Sequence, residues 1–254
     1  MSREQFRQYG VAVLVALPIF AVLSYYLFLR RGYYDLYIAN KAFGSTSLIL
    51  IGIVLLIGPL SRLYQSFDNW VSYRKELGIV GFTLALVHTI ISLFLLPDKF
   101  AFASFFTYTS LNRGLVPFLF GITSIIMLFV LIVLSFDAVI RRMDKAVWWR
   151  WQYWGVRVSA LLLYLHVVVM KYPGWISWYT KGGSSDLAIP YLPPGSIFAG
   201  SFGLFVLLVR LIELPGAKIA RAATALLFIV LLLFWFGSYF WGIRQLLFPA
   251  VPGF

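Results

Sequence analysis

The chain has 254 residues, 61% of them hydrophobic and 12% charged, whereas soluble domains are about 45–50% apolar, so an ordinary soluble domain is excluded. Its net charge of +12 does not point to nucleic acid, because the basic residues flank apolar runs, where anionic headgroups and topology account for them. It has no cysteine, which excludes disulfides, iron–sulfur clusters and thiol chemistry.

Several runs exceed the length of about 18 apolar residues that marks a membrane span. In lipid nearly all of such a chain has to be helical, because a helix satisfies its own backbone. The short alternating segments of a β-barrel are absent. The first predicted span is 9–29, with Pro18 inside it. Basic residues precede it, but the run is long and no small-residue cleavage site follows, so it reads as a retained helix and not a signal peptide. The second is 44–63, ending in Gly58-Pro59-Leu60-Ser61-Arg62. The third is 76–96 and carries His88; Pro97-Asp98 stops it. A loop rich in Phe, Ser and Thr leads to Arg113-Gly114. The fourth span, 115–139, runs into the basic cluster Arg141, Arg142, Lys145 and Arg150. The fifth, 150–171, carries His166. A long loop is expected over 172–195, then a short sixth span at 196–213, a turn at Pro215-Gly216 and a seventh span at 217–243. Neither a second domain nor an internal repeat is visible. The expectation is one all-α, polytopic helical membrane bundle over 1–254, with about seven transmembrane helices.

Basic residues set the orientation. With the N-terminus inside, the segments 62–75 and 141–150 are cytoplasmic, and Lys99, Arg113 and Lys171 lie outside. In a cell this is a multi-pass protein of the cytoplasmic (inner) membrane.

The two histidines need a physical reason. His88 lies twelve residues beyond Glu76, and His166 thirteen beyond Tyr153. At 1.5 Å per residue each is about 18–20 Å along its helix, at matched depth in the outer half of the membrane. No cysteine or nearby carboxylate completes a zinc or di-iron set. Two neutral imidazoles on separate helices suit the axial positions of a haem iron. Ionisable groups in spans are functional by default, and two other readings stand beside haem: a proton relay, and a pair of packing histidines.

Several motifs occur in an order that resembles the ferric-reductase-like transmembrane superfamily of b-type cytochromes. They are Gly44…Leu48…Pro59-Leu60-Ser61-Arg62, then Arg74-Lys75-Glu76-Leu77-Gly78 with His88 ten residues after Gly78, then Gly121…Ser135…Arg141-Arg142…Trp149. The likeness covers about 44–171 and is greatest to the haem-binding membrane subunit of the bacterial periplasmic methionine sulfoxide reductase system. It implies haem b between the third and fifth helices, with His88 and His166 as iron ligands and electron transfer as the function. His166 falls on the family's second ligand position. Two departures stand out. Tyr153 occupies a place where many members have a histidine, and Arg74 stands where two-haem members have theirs, so an inner bis-histidine haem cannot form.

No flavin or NAD(P)H domain is present, and no P-loop or Ser-His-Asp set. A reduced nucleotide would need a separate flavin reductase; a quinone is the other donor, and an outer-face reductase the expected acceptor. The span from the inner helix ends to the haem ligands, on the order of 20 Å, calls for a bridge. A flavin (FMN) or quinone near Arg74, Tyr153, Trp154 and Arg157 would find a stacking surface and cations there. The plainer reading of Trp148 to Trp154 is an interfacial aromatic belt, and of Arg157 a snorkelling side chain. Lys171, Lys99 and Arg113 are candidates for haem propionates. Asp137 and Arg141 are spaced for an i,i+4 pair, and Glu213 is within reach of Arg210. From outside the redox class, the rival is a haem-free scaffold or proton-conducting subunit with titrating histidines.

Overall fold

In lipid a helix gains little by hiding leucine from lipid tails. Close packing at small residues and side-chain hydrogen bonds decide which helices meet. The fold, taken from a computed structural model that describes residues 2–107, 111, 113–212 and 217–247, follows that rule. All its regular elements among those residues are helical. Seven helices are long and apolar enough to cross a membrane. They are α1 (Arg3–Arg31), α2 (Leu36–Leu63), α3 (Arg74–Ile90, continued by a π turn over Ile91–Leu95), α4 (Leu115–Val133), α5 (Lys145–Lys181), α6 (Gly195–Ile212) and α7 (Ala217–Leu247).

The helix ends have identifiable causes. Ser2 and Gln5 form a capping box at the start of α1, and Gly32 closes it in the left-handed region at φ 79°. Asp35 caps α2, its carboxylate accepting from the Ile38 N–H at 2.8 Å. That cap starts α2 eight residues before the predicted Gly44. α4 stops at Val133, short of the predicted 139, and Asp137–Ile140 is a separate helical turn. Side chains take the carbonyls there: Ser135 Oγ and Gln152 Nε2 donate to Leu131 O, and Trp148 Nε1 to Leu134 O.

The largest departure is α5. The sequence reading ended this span at 171 and opened a loop, yet the helix continues through Pro173 to Lys181. A proline forfeits one backbone bond, and three aromatic anchors hold the following turns. Trp175 Nε1 donates to Ser196 Oγ at 2.9 Å, Trp178 Nε1 to Pro190 O at 3.2 Å, and the hydroxyls of Tyr179 and Ser238 share a bond of 2.6 Å. Only 182–194 remains as loop. It is stitched to the end of α1, where Arg30 Nε donates to Leu192 O and Tyr26 Oη to Pro193 O.

α2 is the staff of the bundle. Of its most apolar window 61% is buried, against 17–28% for α1, α3, α4, α5 and α7. Around it, α2 packs on α3, α3 on α4, α4 on α5 and α5 back on α2. Those four helices close a ring with α3 and α5 at opposite corners. Among the described residues the single ion pair is Arg7–Glu4, so Asp137 and Arg141 do not pair. Glu213 and Pro215-Gly216 lie outside the described residues.

Candidate cofactor site

His88 projects from α3 toward α2, and His166 from α5 toward α4. The His88 Nδ1 is 2.9 Å from Asn40 O, and the His166 Nδ1 is 2.7 Å from Pro117 O. A carbonyl oxygen only accepts, so in each ring Nδ1 carries the proton and Nε2 keeps its lone pair. Four residues beyond each acceptor carbonyl, one helical turn, stands a glycine. A Cβ on Gly44 would lie 3.0 Å from His88 Nδ1, and one on Gly121 2.8 Å from His166 Nδ1. Both imidazoles are thus seated in the same device, a bare helix turn with a carbonyl at its edge.

The likeness continues down the helices. Three residues past each glycine, Ser47 Oγ donates to Gly81 O at 2.7 Å and Ser124 Oγ to Ser159 O at 2.9 Å. Each acceptor lies seven residues before its histidine. Fourteen residues before each histidine, Arg74 reaches within 3.8 Å of a Cβ placed on Gly58, and Gln152 donates to Ser135 at 3.1 Å. The register is constant: Gly44 to Gly121, Ser47 to Ser124 and Gly58 to Ser135 are each 77 residues; Gly81 to Ser159, Arg74 to Gln152 and His88 to His166 are each 78. The hairpin α2–α3 is therefore repeated as α4–α5. In a chain of successive antiparallel spans, α2 and α4 run the same way, so the repeat is related by rotation about the bundle axis.

The repeat puts the histidines level. Phe82 and Ala160, each six residues and about 9 Å along the helix before its histidine, belong to one buried cluster with Ile51, Leu55, Leu128 and Leu131. That cluster is an apolar floor under both rings. Each imidazole keeps partial accessibility inside the bundle. Three residues after His88 the helix widens into the π turn, a feature frequent at functional sites. Asn40 secures it: its amide Nδ2 donates to Ser92 Oγ at 2.8 Å while its carbonyl holds His88. No three His, Cys, Asp or Glu side chains come together among the described residues. The protein offers two neutral nitrogen donors and apolar walls.

The other expected residues divide by end. Lys171 lies on α5, five residues beyond His166 and half-buried, while Arg113 is exposed in the turn before α4. At the far end, the Arg157 guanidinium lies 3.3 Å from the centroid of the Tyr153 ring and its Nη1 donates to Tyr153 O at 2.6 Å. One face of Tyr153 is therefore covered. Arg74 and Arg210 converge on Gly58, each with Nη1 3.8 Å from a Cβ there. Trp154 meets the Tyr153 ring edge to face, with centroids 5.3 Å apart. It is 59% exposed and lines a cleft of about 350 Å³ with Met127, Arg150, Trp151, Gly155 and Val158. Gly81 serves helix packing, its added Cβ meeting Ile51 at 3.0 Å, whereas Gly78 faces open space.

Sequence reasoning missed Asn40 and Pro117, which act through main-chain carbonyls. The signal available was the pair of Gly-x-x-Ser steps, 44–47 and 121–124, each followed by a histidine 44 or 45 residues after its glycine.

No curated protein matches the chain. Residues 43–163 match the family described as ferric reductase like transmembrane component. The match takes in both glycines, both serines and His88, and ends three residues before His166. Over that stretch, from α2 into α5, the chain is similar to ferric-reductase-like transmembrane components.

Proposed function

We propose that the protein is a b-type membrane cytochrome that passes electrons from a cytoplasmic or quinone donor to an acceptor on the outer face. The observation that carries this is the matched seating of His88 and His166. Both Nδ1 atoms are committed to backbone carbonyls, and both free Nε2 lone pairs come from opposite corners of one helix ring. Such a donor set fits an iron that brings its own equatorial ligands, as haem b does. When bound, haem supplies a one-electron redox centre. The chain's residues do the rest. Asn40 and Pro117 fix the tautomer and raise the basicity of the ligands. Gly44 and Gly121 admit the rings. The floor of Phe82, Leu128 and Leu131 excludes water from below. A proton relay fits less well, because each ring's N–H ends on a backbone carbonyl that has no proton to pass on.

The similarity to ferric-reductase-like components supports membrane electron transfer as the activity. The finer likeness, to the haem-binding membrane subunit of the bacterial periplasmic methionine sulfoxide reductase system, supports a periplasmic reductase as acceptor and the cytoplasmic membrane as location. On the donor side, Arg74, Tyr153 and Arg157 form the proposed stop for a flavin or quinone, with a separate flavin reductase as the soluble source. The covered Tyr153 face reduces the stacking surface there, and the open cleft at Trp154 favours a quinone arriving from the lipid.

The test is a reduced-minus-oxidised visible spectrum of the purified protein. One low-spin, six-coordinate b-type haem is expected, lost or severely weakened in His88→Ala and in His166→Ala. Full, unaltered spectra in both variants would sink the ligand assignment.

A further inference from the structure

Among the places where the two halves of the repeat differ, two near the histidine level carry a lysine against an apolar counterpart. Lys41 lies on α2 three residues before Gly44, where the α4 counterpart is Phe118. Lys171 lies on α5 five residues after His166, where the α3 counterpart is Leu93. α2 runs toward the Arg74 end and α5 away from it. Both lysines therefore lie toward the end away from Arg74, Lys41 about 4.5 Å along α2 from Gly44 and Lys171 about 7.5 Å along α5 from His166. α2 and α5 are neighbours in the ring. Both side chains are half-buried. Lys41 Nζ sits 3.8 Å over the Tyr37 ring and feels the like charges of Lys171, Arg31 and Arg30. The Asp35 carboxylate, on the same end of α2, is taken up as that helix's cap. Neither lysine has an ion pair among the described residues. Partly burying two ammonium groups on neighbouring helices is costly unless anions compensate them. The shortfall is two negative charges, close to the histidines and on one side of them only.

We propose that Lys41 and Lys171 form a paired cationic clamp for two carboxylates carried on one edge of the flat group between His88 and His166. This rests on the haem reading above and extends it to the orientation of the group, whose two propionates would point toward the Lys171 end. Lys41 is a positioning residue: it touches the rim and leaves the metal to the imidazoles. The exposed Arg113 takes no part.

The experiment uses the full chain in detergent, expressed without haem and titrated with protohaem or with its dimethyl ester, in which both carboxylates are masked. Affinity is read from visible absorbance. Wild type should bind the free acid about tenfold or more tightly than the ester, the scale of charge-assisted hydrogen bonds. Lys41→Gln and Lys171→Gln should each remove most of that preference while keeping the six-coordinate spectrum, and Lys41→Arg should retain it. Equal binding of acid and ester by wild type overturns the proposal, with no variant needed. So does a preference that survives both glutamine variants. If acid and ester bind alike and free succinate binds at these lysines instead, the anion comes from outside and the clamp is wrong. A wild type that gives a six-coordinate spectrum with neither porphyrin fails earlier, at the histidine reading itself.

Discussion

Gly121 gives His166 its room: a Cβ there would stand 2.8 Å from Nδ1, inside any tolerable contact. Gly44 bears the same relation to His88 at 3.0 Å. An alanine at either place must push the ring off its carbonyl. Such overpacking costs about 1–3 kcal/mol, and it also frees the tautomer. Gly121→Ala should therefore lower haem content several-fold and Gly44→Ala somewhat less, as read by pyridine haemochrome against protein. Full content with an unshifted spectrum in both would mean that the rings are not seated as described.

The serine bonds make a separate prediction about stability. Ser47→Ala and Ser124→Ala each remove one helix-to-helix donor, worth about 0.6 kcal/mol in a membrane protein. The two sites share no partner, so the double variant should lose about the sum. Ser159→Ala should cost nothing or slightly stabilise, because the Ser159 hydroxyl is buried with no partner and its repeat counterpart is already Gly81. Thermal unfolding in detergent of all four variants checks this. A large loss from Ser159→Ala would contradict the hydrogen-bond assignment.

Topology is testable without any cofactor. The segment Gln65–Tyr73 lies beside Arg62, Arg74 and Lys75, and the basic-residue bias assigns it to the cytoplasm. A cysteine introduced at Ser72, in a chain that has no other, should resist an impermeant thiol reagent in intact cells and react after permeabilisation. Labelling in intact cells would reverse the direction of electron flow.

The Arg157–Tyr153 stack lies thirteen residues from His166 on the same helix, about 20 Å away by the helical rise. Changing both to alanine should leave haem content and ligation intact. It should slow haem reduction by the physiological donor severalfold in stopped-flow absorbance. An unchanged rate would remove the donor stop and leave lateral access of a quinone as the route.

Much of the fold was legible because lipid imposes one rule on every span. Seven apolar runs became seven helices, and two histidines stood out as the chain's only imidazoles. The carbonyls that orient them were not legible, since every residue has a carbonyl and only packing decides which one is met. The repeat escaped notice because its offset slips from 77 to 78 between the first and second helix, and few residue types persist across it. Elsewhere it pairs Arg74 with Gln152 and Phe82 with Ala160, chemically unlike residues at equivalent places. Pro173 misled because proline breaks helices in water. Here Trp175, Trp178 and Tyr179 hold the next turns by bonds that no local pattern announces.

A repeat of this kind has a consequence for handedness. Rotate a flat guest half a turn about the bundle axis and it meets the same two imidazoles in exchanged order, on the same carbonyl-and-glycine seats. The imidazoles cannot tell one placement from the other. Whatever selects between them has to come from the positions where the halves disagree, among them Arg74 against Gln152, Phe82 against Ala160, Lys41 against Phe118 and Lys171 against Leu93. The seats are common to the two halves, and any preference for one placement belongs to the residues that are not.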